Sequence, residues 1–126
     1  MTLALLVTHG TLAFGLKNAV EQMLGEQDGF LTLSNAGLAG KDLIDQINHI
    51  LAEQNHPSTL LFTDIYGGSC WRSSRFIASQ NPKVALVTGV NLPMLLTFFT
   101  NRSKLDFDQL LAKVVQMGEE GIRTES

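Results

Sequence analysis

Cysteine is almost absent from this sequence: Cys70 is the only one in 126 residues. A single thiol cannot close an internal disulfide and argues against a cysteine-based metal site. Runs of basic residues are also lacking, and the formal net charge is −3. That balance speaks against nucleic acid or an anionic membrane surface as a partner. No apolar stretch approaches the roughly 18 residues of a membrane span, and the N-terminus lacks the basic region of a secretory signal. The expectation is a soluble, cytoplasmic protein with no direct membrane insertion. Internal repeats, low-complexity tracts and linkers are missing too, so residues 1–126 read as one domain. With 44% hydrophobic residues, a chain of this length buries roughly two thirds of its unfolded surface.

What the sequence does have is an alternation of apolar strands and amphipathic helices. Leu3-Ala4-Leu5-Leu6-Val7 is a continuous apolar run that stops at Thr8-His9-Gly10-Thr11, the pattern of a strand buried on both faces. Leu12, Leu16, Ala19, Val20, Met23 and Leu24 then recur at helical spacing up to Gly25. Phe30-Leu31-Thr32-Leu33 predicts a second strand, followed by a loop with Asn35, Gly37 and Gly40 that can line a pocket. A helix over about Lys41 to Gln54 follows, with Pro57 beyond its end. Leu60 to Asp64 predicts the third strand, Gly67-Gly68-Ser69 a turn, and Ser73, Phe76 and Ile77 a third helix to about Gln80. Lys83 to Thr88 is the fourth strand. Pro93 suits the first turn of a helix carrying Met94, Leu95, Leu96, Phe98 and Phe99. A last helix over about Asp106 to Met117 precedes a polar tail.

Such alternation implies an α/β fold, a doubly wound, mainly parallel sheet with helices on both faces. The common order 2-1-3-4 sets the first and third strands side by side. Their carboxyl ends carry His9 and Asp64. A carboxylate there can accept a hydrogen bond from one ring nitrogen and leave the other free as a nucleophile. Gly10, Gly67 and Gly68 let backbone approach an anion closely, and Ser69 at a helix start can cap the helix or donate to a phosphate oxygen. Arg72 and Arg75 lie near that helix start, where they either serve an anion or face solvent; solvent is weighted slightly higher.

Thr8-His9-Gly10, Ala13, Gly15-Leu16, Asp64-Ile65-Tyr66-Gly67-Gly68-Ser69 and Thr88-Gly89-Val90-Asn91-Leu92-Pro93-Met94 together resemble the IIA component of the mannose/fructose/sorbose family of the bacterial phosphoenolpyruvate-dependent sugar phosphotransferase system. The resemblance implies that His9 takes a phosphoryl group from HPr and passes it to a IIB component, with the membrane IIC and IID components served indirectly. It further implies that Asp64 orients the ring, that Nε2 is the phosphorylated nitrogen, and that Ser69 lies beside the phosphate. The Asn91–Met94 stretch is expected to border the active site. A homodimer that exchanges a C-terminal strand is also implied. Gly118 to Thr124 holds glycines that can break the helix and a short extended segment with Ile122, although it is brief and polar for that purpose. The pattern departs at Cys70 and Arg72, where the family commonly has proline and asparagine. The same fold also admits a regulatory protein whose phosphorylation controls a partner without onward transfer to sugar.

The remaining candidates carry less chemistry. His49 on the second helix and His56 before Pro57 read as surface or structural residues rather than metal ligands. Cys70 at a helix start is either a reactive thiol or, the better reading, a packed inert one. Tyr66 and Trp71 flank the glycine turn and can form an apolar docking rim or belong to the core. Nothing in these motifs calls for a cofactor or a metal ion.

Overall fold

Strand β1, Leu3–Thr8, is buried at every one of its six positions, as an apolar run without alternation requires. The computed structural model describes residues 1–126. Helix α1 (Leu12–Leu24), strand β2 (Phe30–Ser34), helix α2 (Gly40–Gln54), strand β3 (Thr59–Thr63), helix α3 (Ser69–Gln80), strand β4 (Val84–Thr88), helix α4 (Leu92–Asn101) and helix α5 (Phe107–Glu120) follow in order. All strand pairs are parallel, and the sheet order is β2-β1-β3-β4, the order expected from the sequence.

The period of two along each strand sorts the apolar side chains into two cores. Ala4 and Leu6 of β1, with Leu60 and Phe62 of β3, pack with Val20 of α1, Leu95 and Phe98 of α4, and Leu110 and Val114 of α5. Leu5 and Val7, with Leu61, pack on the opposite face with Leu43 and Ile47 of α2 and Cys70 and Ile77 of α3. Burying each such leucine or isoleucine contributes about 1.5–3 kcal/mol. The central pair β1 and β3 is therefore clamped from both sides, and its register is fixed because a one-residue slip would exchange the two cores.

The last helix departs from the sequence expectation. α5 opens with a capping box in which Asp106 and Gln109 bond reciprocally. It does not break at Gly118 but runs on to Glu120. Gly118 is buried, and a Cβ there would stand 2.6 Å from Cγ and Cε of Met94. The glycine is thus a contact residue that lets α5 close on α4. Residues 121–126 follow without regular structure, and Ile122 is 81% exposed.

Two helical glycines should respond oppositely to the same change. Gly15 in α1 is exposed, and a Cβ there meets nothing within 4 Å, so Gly15→Ala should stabilise by about 0.5–1 kcal/mol. Gly118→Ala must displace the buried Met94 side chain and should destabilise by about 1–3 kcal/mol. Urea midpoints of the two variants check this; equal signs would refute the packing role of Gly118.

Candidate functional site

Parallel pairing sets Val7 of β1 opposite Thr63 of β3, so His9 and Asp64 leave the sheet side by side at its carboxyl edge. The turn after β1 is held by Thr8, whose buried Oγ1 accepts from the Ala13 N–H at 2.8 Å. This strand-end hydroxyl supplies the capping bond that Thr11, the residue before α1, does not make. Gly10 and Gly67 have φ of +56° and +87°, a backbone region that side chains disfavour.

Asp64 Oδ2 accepts two hydrogen bonds from one residue: the His9 backbone N–H at 3.0 Å and a contact with the ring Nδ1 at 2.8 Å. Its Oδ1 accepts from the Ile65 N–H at 3.0 Å. Burial acts to raise the Asp64 pKa, but the hydrogen bonds from the His9 backbone and ring and from the chain at Asp64 itself outweigh it. The carboxyl is held below its ordinary value of 3.8. An ionised carboxylate only accepts, so the hydrogen-bond network assigns the ring proton to Nδ1 and leaves the lone pair on Nε2. The His9 side chain is 43% exposed and that of Asp64 11%, so the ring is reachable while its partner is shielded.

The glycine turn after β3 closes over this ring. A Cβ on Gly68 would lie 3.1 Å from His9 Cε1 and 3.5 Å from Nε2, so any side chain there would crowd the nucleophile. The first backbone bond of α3 runs from the Arg72 N–H to the Gly68 carbonyl. The amides of Ser69, Cys70 and Trp71 therefore lack helical partners, the arrangement that favours an anion at a helix start. Ser69 Oγ accepts from Asn35 Nδ2 at 3.3 Å, which brings the β2–α2 loop to the same edge.

His9, Asp64, Gly68 and Ser69 thus converge, while other singled-out residues have other tasks. Arg72 is exposed, as the favoured reading had it, and its guanidinium donates to the Gly67 carbonyl at 2.8 Å. Arg75 stacks over Trp71 at 5.3 Å. Tyr66 and Trp71 lie 4.4 Å apart, with Tyr66 78% exposed, so this pair is rim and not core. Asn91 Oδ1 accepts from the Met94 N–H and its Nδ2 donates to the Gly118 carbonyl, both at 3.0 Å; it joins α4 to α5. His49 pairs with Glu53 on the surface of α2, and His56 contacts the Met1 carbonyl. Thr8 was read from the sequence only as a strand end and a motif residue, and its capping of α1 was not. The Arg72 contact had no sequence signal, because it depends on how the turn folds back.

Comparisons with known proteins give the family and the fold. Residues 4–115 match the family model EIIA-man, described as PTS system fructose IIA component. The PTS system mannose-specific EIIAB component of Escherichia coli (strain K12) is 33% identical over 131 residues, covering 98% of this chain and 39% of that protein. The chain therefore spans well under half the length of that curated relative. The PTS system sorbose-specific EIIA component of Lacticaseibacillus casei is 29% identical over 117 residues, covering 92% of this chain and 85% of that one. The crystal structure of phosphotransferase system component EIIA from Streptococcus agalactiae superposes with a TM-score of 0.92 at 23% identity, covering 98% of this chain and 97% of the other. The mannose/sorbose specific IIA subunit from Enterococcus faecalis gives 0.86 at 22% identity, covering 99% and 95%. At these identities the two structures show a shared fold.

Cys70, the second residue of α3, is fully buried. Burial, and secondarily the negative charge of Asp64, push its thiol up to about 11. It is protonated at neutral pH and packed in the second core. The folded chain should resist iodoacetamide at neutral pH and react stoichiometrically once unfolded in urea, as followed by intact mass. Rapid labelling of the native chain would contradict this burial.

Proposed function

Because the chain belongs to the mannose/fructose/sorbose family of IIA components of the sugar phosphotransferase system, we propose that His9 is a phosphoryl carrier, loaded by phospho-HPr and unloaded by a IIB component. The observation that supports this most is the 2.8 Å contact of Asp64 Oδ2 with Nδ1, which leaves Nε2 as the nucleophile beside the glycine turn. In the transfer, the Nε2 lone pair attacks phosphorus and a P–N bond forms as the bond to the donor breaks. The ring gains positive charge while Nδ1 keeps its proton. Asp64 stabilises that charge, so no proton has to move. The transferred oxygens would meet the free amides at the start of α3, the Ser69 hydroxyl and the backbone at Gly10, Gly67 and Gly68. Transfer to IIB is the same displacement with the roles reversed.

Residues 1–126 act in this reading as one IIA unit in the cytoplasm. No helix is long and apolar enough to cross a membrane, and IIC and IID would be reached only through IIB. The sugar is chosen elsewhere in the system. We further propose a homodimer. Strands β2 and β4 each have one open edge, and pairing with a segment from a second copy removes unpaired N–H and C=O groups. Residues 121–126, with Ile122 exposed, are the free segment available for that exchange.

Incubation with phosphoenolpyruvate, enzyme I and HPr should add one phosphoryl group to His9, seen by mass spectrometry, and none to His9→Ala. Asp64→Asn keeps the shape but removes the charge, and should slow transfer more than about tenfold, about 1.4 kcal/mol. An unmodified His9, or unchanged kinetics in Asp64→Asn, refutes the carrier mechanism. Addition of a IIB protein then separates a carrier from a regulator of the same fold, since only the carrier loses its phosphoryl group to IIB. Light scattering should report a dimer for the full chain and a monomer after truncation at Gly121. A monomeric full chain refutes the dimer, and an equally tight truncated dimer refutes the exchange.

A further inference from the structure

Beneath the His9–Asp64 pair lies a third donor that the transfer does not use. A ring nitrogen of His9, a carboxylate oxygen of Asp64 and Sγ of Cys70 all lie within 4.8 Å of one another. Imidazole, carboxylate and thiolate are the three ligand types of zinc chemistry, and three protein ligands leave a fourth position open. Metal–ligand lengths of about 2.0–2.3 Å put the donors of a tetrahedral shell about 3.5 Å apart, so closing round an ion asks for movements of about 1 Å. His9 can make them: its side chain is 43% exposed and lies between the turns at Gly10 and Gly68. Each donor comes from a different place, the ends of β1 and β3 and the start of α3, so the set exists only in the folded chain.

We propose that His9, Asp64 and Cys70 form a binding site for a thiophilic divalent cation of the zinc class, and that the cation and the phosphoryl group exclude one another at His9. Binding forms coordinate bonds to the three donors and releases the Cys70 thiol proton to solvent. The exclusion follows from the lone pairs of the ring. A neutral imidazole has one nitrogen with a free pair and one with a proton. A cation at Nε2 occupies the nucleophile directly. A cation at Nδ1 moves the ring proton to Nε2, which then has no pair to offer phosphorus. Conversely, a ring phosphorylated on Nε2 and protonated on Nδ1 offers nothing to a metal, so each ligand weakens the other by the same factor. The site itself stands on the donor geometry; only its effect on transfer rests on the phosphocarrier reading.

Zinc uptake by the purified, metal-free full chain, in competition with a chromophoric chelator, tests the site without any phosphoryl donor. One equivalent should bind, and Co2+ in its place should show thiolate-to-metal charge-transfer absorption. Cys70→Ser and Cys70→Ala should each weaken zinc binding at least about tenfold and remove that absorption, with circular dichroism confirming the fold of whichever variant is scored. His49→Gln, which removes the surface pair with Glu53, should change neither. No uptake at micromolar zinc overturns the site, as does full uptake in a folded Cys70 variant or loss of uptake in His49→Gln. In the second arm, zinc should block phosphorylation of His9 in the native chain, reversibly by chelation, and leave Cys70→Ser unaffected. Equal inhibition of both, or none of the native chain, overturns the exclusion. Failure of His9 to phosphorylate without zinc would instead refute the carrier reading and leave the binding result standing.

Discussion

One carboxylate oxygen, Asp64 Oδ2, holds both the backbone and the ring of His9. The backbone bond fixes where the residue leaves β1, and the ring contact fixes how the imidazole is turned and which nitrogen keeps its proton. The oxygen can do both only because β1 and β3 are neighbours in one register, and that register is enforced by two cores on opposite faces of the sheet. Most of the buried apolar surface thus contributes to the site indirectly, by denying these two strands any other alignment. The depressed Asp64 pKa reflects the same contact, since the bonds from His9, with that from the chain at Asp64 itself, outweigh the effect of burial.

The helix after the glycine turn starts without the proline that the family resemblance led us to expect after Ser69. Proline after Ser69 would fix the first turn of α3 through its ring. Here Cys70 stands at that position and the helix still begins at Ser69, with the Arg72 side chain reaching back to the Gly67 carbonyl.

The strands were legible in the sequence because β1 and β3 are covered on both faces, which makes their apolar runs continuous. His9 and Asp64 were legible because a parallel sheet places its polar strand ends at one edge. The extent of α5 was not, because a glycine at the end of an apolar stripe looks the same whether it stops a helix or clears space for a neighbour. Only the distance to Met94 distinguishes the two. The Asn35–Ser69 bond escaped for a related reason: it joins residues 34 positions apart whose proximity is set by tertiary packing, and local spacing holds no trace of it.

The Asn91 side chain, by spanning from the start of α4 to Gly118 of α5, decides where the end of the chain emerges. Val90 bonds to the Thr63 carbonyl, and Gly121 comes up against Pro93, so the final residues leave from the carboxyl edge of the sheet, the edge that carries His9.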